Sequence, residues 1–597
     1  MSGGTHGPEI RVHFLLLLFA LFLFALFLGL EPLLLYPVWG SDTGEYYYLT
    51  NYLVDHGHLL LSNYAGWGFA YPYFPGMFLL GGAVSEASGT PVLTSLQLVI
   101  PILGAFSVFP LFLLLRKVLP GEALPLGAAA IAAVAFPRVF ILAHPVPDTL
   151  GDLLAVSALW MFVEQRRDMR WLVPLCLTSM ALIVSHHLSS YFFLLSAGSI
   201  LAGLELFTPH RWSRRFPLRE FVFLGGFTVT MFAYWITYAT PFQRELTDIP
   251  VHLSSGIILV LLPSITLVVL TFLALLVHLR RTRFANVRSV LRPKWPTTPK
   301  MLRDFALLSL FIFGGALMLV LFPIPGTGQK IPAIDILWFI PLLLLVPLSA
   351  GGIGSSAASR LGPTPYPWVI AILCSAIAAS VLNVQAIPVE RHAEWAVLAM
   401  SMIVATGAGA WIGRMEPGSL KRVAAVGAVG LLIAGNAYLA LPPPTVTDGF
   451  QEGFSLADVS LAGWSATELS PGTTLASDHR LSDLYFGLSG NPATWSNTCL
   501  LFLGSSPECG PPQCQKNFSG NVTQAIESEL NASLAPSHCR PINAVAVDGT
   551  MVTVGVALDP SQFAYPMNTT ELRFLEGPQF VLLYQNGPQE VWWFIGP

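Results

Sequence analysis

Gly40-Ser41-Asp42-Thr43-Gly44-Glu45-Tyr46-Tyr47-Tyr48 follows directly on an apolar run from Phe14 to Tyr36. That order decides the reading of the whole chain. About 20 apolar residues suffice for a helix to cross a bilayer. The Phe14–Tyr36 run is too long for a signal-peptide core and lacks a small-residue cleavage site, so it reads as a membrane helix. The first residues beyond it carry two carboxylates three positions apart, and on a helix such positions share a face. Asp42 and Glu45 would then point together above the membrane. The same spacing is also a capping box, with Asp42 as N-cap and Glu45 at N3. The two roles are compatible, because a helix N-terminus also attracts anions. The loop continues through Asp55, His56 and His58 to Tyr71-Pro72-Tyr73-Phe74-Pro75-Gly76. Residues 37–90 therefore read as an active-site loop.

The composition agrees with a membrane setting. Of 597 residues, 54% are hydrophobic and 11% charged, against roughly 25% charged in a soluble domain. This excludes a soluble enzyme, and nothing points to nucleic acid as a partner. The expected fold is a polytopic α-helical membrane protein of about thirteen spans. After the first, they fall near 91–115, 123–137, 148–163, 171–186, 188–207, 220–239, 253–278, 304–323, 333–351, 366–384, 393–413 and 422–441.

Basic residues prefer cytoplasmic loops. With the N-terminus inside, 22 of the 30 Lys and Arg residues fall in cytoplasmic segments. The loops between spans on the outer side hold only Arg138, Arg244, Lys330 and Arg391. The run from Arg280 to Arg303 reads as an anchor to anionic membrane lipids. Residues 1–441 form the membrane domain, and 442–597 a second domain outside the cytoplasm. Its start, Leu441-Pro442-Pro443-Pro444, is a stiff linker. It is expected to be α/β or mainly β, with hairpins around Asp548-Gly549 and Asn586-Gly587. Cys499, Cys509, Cys514 and Cys539 cluster there and imply two disulfides with three possible pairings. Asn517, Asn521, Asn531 and Asn568 begin Asn-x-Ser/Thr triplets, glycosylation acceptors only on the outer side.

The charged residues on that outer side set the chemistry. They include the acids Asp42, Glu45, Asp148, Asp152 and Glu394, and the histidines His144, His186, His187 and His392. Ionisable groups near a bilayer are costly and often functional. Carboxylates, imidazoles and a few isolated cations suit transfer from a phosphate-bearing substrate. A carboxylate takes a proton from an acceptor hydroxyl, and a cation holds the leaving phosphate. Adjacent His186 and His187 diverge by about 100° on a helix, so they are not by themselves a metal pair. Ser477-Asp478-His479-Arg480 reads either as a strand-to-helix cap or as a segment facing the membrane site.

These features resemble the GT-C superfamily of membrane glycosyltransferases, whose relatives include protein O-mannosyltransferases, the lipid A aminoarabinose transferase and the oligosaccharyltransferase catalytic subunit. The resemblance rests on Ser41-Asp42-Thr43-Gly44-Glu45, on Tyr71-Pro72-Tyr73-Phe74-Pro75-Gly76, and on Pro147-Asp148-Thr149-Leu150-Gly151 in the second outer loop. It implies sugar transfer from a polyprenyl (dolichyl) phosphate carrier to a protein, glycan or lipid acceptor outside the cytoplasm, in a multi-pass protein of the cell membrane. Asp42 would be the general base, with Glu45 and Asp148 shaping the pocket. Lys330, Arg138 and Arg391 are candidates for the carrier phosphate. His144, His186, His187 and Tyr71 join them as substrate-binding candidates. No cofactor is implied unless the donor is a pyrophosphate, which would call for a divalent cation. One departure is that no Trp-Trp-Asp-Tyr-Gly is present: Trp592-Trp593 is followed by Phe594. This disfavours transfer to asparagine. Dolichol-type chemistry beside glycosylation triplets would fit an archaeal envelope. The rival readings are a lipid-linked glycan transporter or flippase, and a GT-C scaffold without catalysis. The outer placement of the acids and the lack of internal repeats favour the enzyme.

Overall fold

A computed structural model describes residues 11–61, 64, 66–206, 216–247, 255–283, 298–322, 333–351, 365–382, 387–389, 391–443, 451–495, 502, 542–557, 564–565, 567 and 575–595. Helix is present at every segment read as a span, from Val12–Leu30 to Leu420–Tyr438. Among the described residues, eight helices are long and apolar enough to cross a membrane, or up to nine if a bent pair counts as one span. Met169–Ser185, Ile340–Gly351 and Pro365–Ser380 are apolar but shorter. Among the described residues, up to nine of the thirteen segments read as spans thus meet that length and composition. Their outward residues, such as Leu16, Phe27, Phe311 and Leu431, are exposed apolar side chains, as a lipid-facing surface requires. The protein is a multi-pass membrane protein.

The bent pair is Ala123–Val134 and Phe136–Leu142, turned by 67°. Ala135 between them is extended, and Pro137 follows two residues later. Proline lacks the N–H that would continue the first helix, but is well suited to the first turn of a new one. The restart carries Arg138 into the interior, where it is 1% exposed.

The chain divides into two compact units. Unit 1 takes the N-terminal helix, Ile102–Leu142 and Pro147–Leu441. Unit 2 takes Leu30–Pro101, Ala143–Val146 and the chain from Pro442 onward. The first outer loop thus folds with the C-terminal segment.

Unit 2 is a mixed α/β fold. β1 (Val38–Trp39) pairs antiparallel with β2 (Gly453–Phe454). β3 (Leu475–Ala476) runs parallel to β4 (Ala544–Val547). β5 (Val556–Ala557) pairs with β6 (Ala564–Tyr565). β7 (Phe580–Asn586) and β8 (Gln589–Phe594) complete the main sheet in the order β3-β4-β8-β7. β4 is buried on both faces, and its period-2 alternation splits the core. Ala544 and Ala546 pack with Leu461, Leu481, Leu484 and Val591. Val545 and Val547 pack with Met551, Val556 and Phe580. The hairpin expected around Asn586-Gly587 is present, with Gly587 at φ 62°. The one expected around Asp548-Gly549 is not. Asp548 instead accepts from the Met551 N–H and caps a helical turn, Gly549–Thr553. A side chain that caps a turn outcompetes the ladder here.

Cys499, Cys509, Cys514, Cys539, Asn517, Asn521, Asn531, Asn568 and Lys330 lie outside the described residues.

Candidate active site

In unit 2 the helix Thr43–His56 crosses the helix His479–Ser489 backbone to backbone. A Cβ at Gly44 would lie 2.2 Å from the carbonyl oxygen of Asp483, and one at Gly487 would lie 2.3 Å from that of Gly44. Glycine at both positions allows the approach. It brings His479 Nε2 to 3.0 Å from Asp42 Oδ1, across 437 residues of sequence. Ser41 Oγ donates to the same oxygen at 3.4 Å, and Tyr46 OH to Asp42 Oδ2 at 3.4 Å. Tyr46 OH also meets Tyr71 OH at 3.1 Å. The Trp67 ring stands edge-on to His479, 4.9 Å between centroids. His479 is fully buried, whereas the Asp42 side chain keeps 14% of its surface open.

Asp42 occupies the N-cap position of its helix but makes no side-chain cap bond, so the capping box does not form. Asp483 does that work from the other helix: its Oδ2 accepts from the Glu45 N–H at 3.0 Å, and it also accepts from the Gly44 N–H. Glu45 in turn accepts from Tyr64 OH and, at 2.8 Å, from the Gly68 N–H. Burial pushes Glu45 up to about 8, against the pull of those two hydrogen bonds, and the Asp42 charge adds to the rise. Burial, then the charges of Glu45 and Asp42, hold Asp483 well above the usual carboxylate range. Both groups are therefore biased toward their protonated forms.

The helix that carries His479 is firmly held. Asp478 caps it through the Leu481 N–H at 2.9 Å. Arg480 Nη2 donates to Asp548 Oδ2 at 2.5 Å, with both side chains buried. Burial lifts Asp548 to about 7, with Arg480 opposing. Nearby, Glu452 accepts from the Ser41 N–H at 2.8 Å and lies 3.3 Å from His144 Nε2. Burial raises Glu452, but His144 and Ser41 outweigh it and leave the group below its ordinary value.

Unit 1 holds a second cluster. Asp148 accepts from Ser189 Oγ at 2.7 Å and lies 3.1 Å from His186 Nδ1. Arg391 Nη1 is 3.7 Å from its other oxygen. Arg138 donates to Asp152 Oδ2 at 3.1 Å and to Ser107 Oγ at 2.9 Å, and lies 3.8 Å from Glu394 Oε1. Asp148, Asp152 and Glu394 offer carboxylate oxygens within 4.8 Å of one another, a spacing a metal ion could span. Three hard oxygen donors suit a divalent cation such as Mg²⁺ or Ca²⁺. Arg138 already offsets part of that charge.

The structure thus brings Asp42, Glu45 and Tyr71 together in unit 2, with His144 beside Glu452. In unit 1 it brings together Asp148, His186, Arg138 and Arg391. His187 borders the same cluster, its ring 5.0 Å from that of His186 and 4.3 Å from that of Phe242. The sequence reading did not single out Asp483 or Glu452. Their roles depend on pairings more than 400 residues apart, which no local pattern reports. In the sequence, His479 stands out only within the polar run Ser477-Asp478-His479-Arg480.

No family model matches the chain, and no curated protein matches it in sequence. Solved structures do. The oligosaccharyltransferase of Archaeoglobus fulgidus, solved with a tethered acceptor peptide, superposes with a TM-score of 0.56 at 16% identity, covering 91% of this chain and 70% of that one. The archaeal oligosaccharyltransferase AglB from Archaeoglobus fulgidus, in complex with an inhibitory peptide and a dolichol-phosphate, gives 0.54 at 15% identity, over 90% and 70%. ArnT from Cupriavidus metallidurans, bound to undecaprenyl phosphate, aligns more loosely, with a TM-score of 0.35 at 13% identity over 98% of each chain. At these identities the likeness is one of architecture: this chain shares the fold of the archaeal oligosaccharyltransferase.

Proposed function

We propose that this protein is a membrane glycosyltransferase that moves a sugar from a polyprenyl-phosphate carrier, dolichyl in an archaeal setting, to an acceptor outside the cytoplasm. The observation that carries the reading is Asp42. It is freed from capping by Asp483, fixed by His479 and Tyr46, and partly exposed where Glu45 and Asp483 are fully buried. The fold shared with AglB, which was solved with a dolichol-phosphate, supports the donor class. The distribution of basic residues supports a cytoplasmic N-terminus and an extracytoplasmic C-terminal domain.

The acceptor oxygen attacks the anomeric carbon as its proton passes to Asp42. The bond from that carbon to the phosphate oxygen breaks, and the carrier phosphate leaves with the bonding pair. Attack opposite the leaving group inverts the anomeric centre. Arg391, 34% exposed and 3.7 Å from Asp148, is proposed to bind the phosphate. Arg138 is committed to Asp152 and Ser107. If the donor is a pyrophosphate, Asp148, Asp152 and Glu394 are the residues to hold a divalent cation, which would offset the charge of the leaving group. Transfer that survives chelation with EDTA assigns a monophosphate donor; transfer lost on chelation and restored by Mg²⁺ or Mn²⁺ assigns the cation to this chemistry.

The test compares the purified protein with Asp42→Asn, using radiolabelled dolichyl-phosphate sugars and envelope acceptors. Asp42→Asn should lose about 100- to 10,000-fold in kcat at unchanged expression. Equal turnover by the variant would remove Asp42 as base. Saturable binding of the labelled lipid without transfer by the wild type would favour a carrier or scaffold.

A further inference from the structure

We infer that His479 is a positioning residue for Asp42, and that the pair forms a dyad suited to an acceptor hydroxyl. This rests on the proposed role of Asp42 as base. His479 cannot reach substrate: it is fully buried and flanked by Trp67. It acts through the one group it touches that is open, Asp42, at 3.0 Å. The helix carrying it is capped by Asp478 and tied down by the buried Arg480–Asp548 pair, so the imidazole is fixed before any acceptor arrives. A base oriented by a third group is the arrangement that activates hydroxyl nucleophiles. Here the carboxylate faces outward and the imidazole stands behind it.

The surroundings fix the proton count. Glu45 and Asp483 are both buried, and each is held toward its neutral form. Asp42 is the member of this trio whose side chain keeps an exposed face. A neutral imidazole donating its Nε2–H to Oδ1 locks the carboxylate and leaves Oδ2 for the incoming proton, beside the Tyr46 hydroxyl. One open carboxylate takes one proton. A sugar, Ser/Thr or lipid hydroxyl offers one to a single acceptor. A planar carboxamide presents two N–H donors and needs two acceptors to be held, and Glu45 and Asp483 are closed to that task.

Besides Asp42, the ionisable groups acting on His479 include Glu45 and Asp478. When the imidazole gains a proton, the resulting cation stabilises the ionised form of Asp42 and weakens it as a base. Turnover should therefore fall on the acid side as His479 is protonated.

The experiment uses the full-length protein in detergent, a panel of radiolabelled dolichyl-phosphate hexoses, and three acceptors: a methyl hexoside, a Ser/Thr peptide and an Asn-x-Thr peptide. His479→Ala should lower kcat about 100-fold with donor KM within about threefold, and the acid limb of the kcat–pH profile should vanish. His479→Gln, which restores an N–H donor but cannot titrate, should recover part of kcat without the acid limb. Wild-type transfer should go to the hexoside or the Ser/Thr peptide. Unchanged kcat and pH profile in His479→Ala, with Asp42→Asn inactive, would overturn the positioning role and leave the base standing. A loss tracking thermal stability and not rescued by Gln would overturn it as well. Transfer to the Asn peptide alone would overturn the hydroxyl class. A wild type inactive with every donor would overturn the underlying reading itself.

Discussion

The two carboxylate clusters are built from similar residues and handled in opposite ways. In unit 1, Asp148, Asp152 and Glu394 are set against Arg138, Arg391 and His186, and all three acids are buried. In unit 2 no Arg or Lys forms an ion pair with Asp42, Glu45 or Asp483 among the described residues. Burial biases two of these acids toward their neutral forms, and a histidine holds the third, which is 14% exposed. A buried acid matched by a guanidinium braces helices. An open acid whose neighbours have been silenced has a free charge to use. An inventory of acids at the outer ends of spans cannot separate these cases, because what differs is the partner.

The largest effect that would break this contrast is Arg138→Leu. It leaves Asp152 and Glu394 without their guanidinium and should cost about 3–5 kcal/mol, seen as lost yield and lower melting temperature in detergent. Replacing Arg138, Asp152 and Glu394 together by apolar residues of similar size should recover most of the loss. If the single variant melts like wild type, the brace is not one. Next is Gly44→Val. The added side chain meets the backbone at Asp483 and should destabilise by about 1–3 kcal/mol. Because it pushes apart the helices bearing Asp42 and His479, activity should fall further than stability does. A stable, active Gly44→Val would refute the close crossing. Arg391→Ala should raise donor KM about tenfold and change the melting temperature little, since a partly exposed pair is worth about 0–1 kcal/mol. An unchanged KM would remove Arg391 from phosphate binding.

The smallest effect sharpens the electrostatics of unit 2. Glu45 titrates near 8 in the fold, against 4.5 as its ordinary value. The fold favours its protonated form, so this contribution is full below about pH 4.5, declines as pH rises and is gone above about 8. Glu45→Gln should match wild type in melting temperature at pH 4.5 and lose less stability than wild type as pH rises to 8.5. Parallel melting curves across that range would mean that Glu45 is ionised throughout.

Much of the architecture was legible because bilayer physics leaves few solutions: apolar runs near 20 residues long are helices, and helix is found at each such segment. The span count was less so, since short apolar helices such as Met169–Ser185 satisfy composition without length. The Asn586-Gly587 turn was legible because its backbone geometry is local. The Asp548-Gly549 turn misled because the Asp548 side chain found a cap that the alternation pattern does not encode. For the candidate site, Asp42 stood out as the first acid past the first span. What the sequence hid was why it is available. The box spacing of Asp42 and Glu45 predicts local capping, and only a partner 438 residues from Glu45 relieves Asp42 of it.

That relief has a consequence for the order of synthesis. Until residue 483 leaves the ribosome, the nearest acceptor for the N–H groups of Gly44 and Glu45 is Asp42 itself. The nascent membrane portion would then hold its own base in a cap while its spans are still being inserted. The protein acquires a free carboxylate only once its last domain has folded back, so a chain truncated at residue 441 should bind carrier lipid without turning it over. Co-expressing residues 442–597 with that fragment, and following transfer, measures whether completing the chain is what arms it.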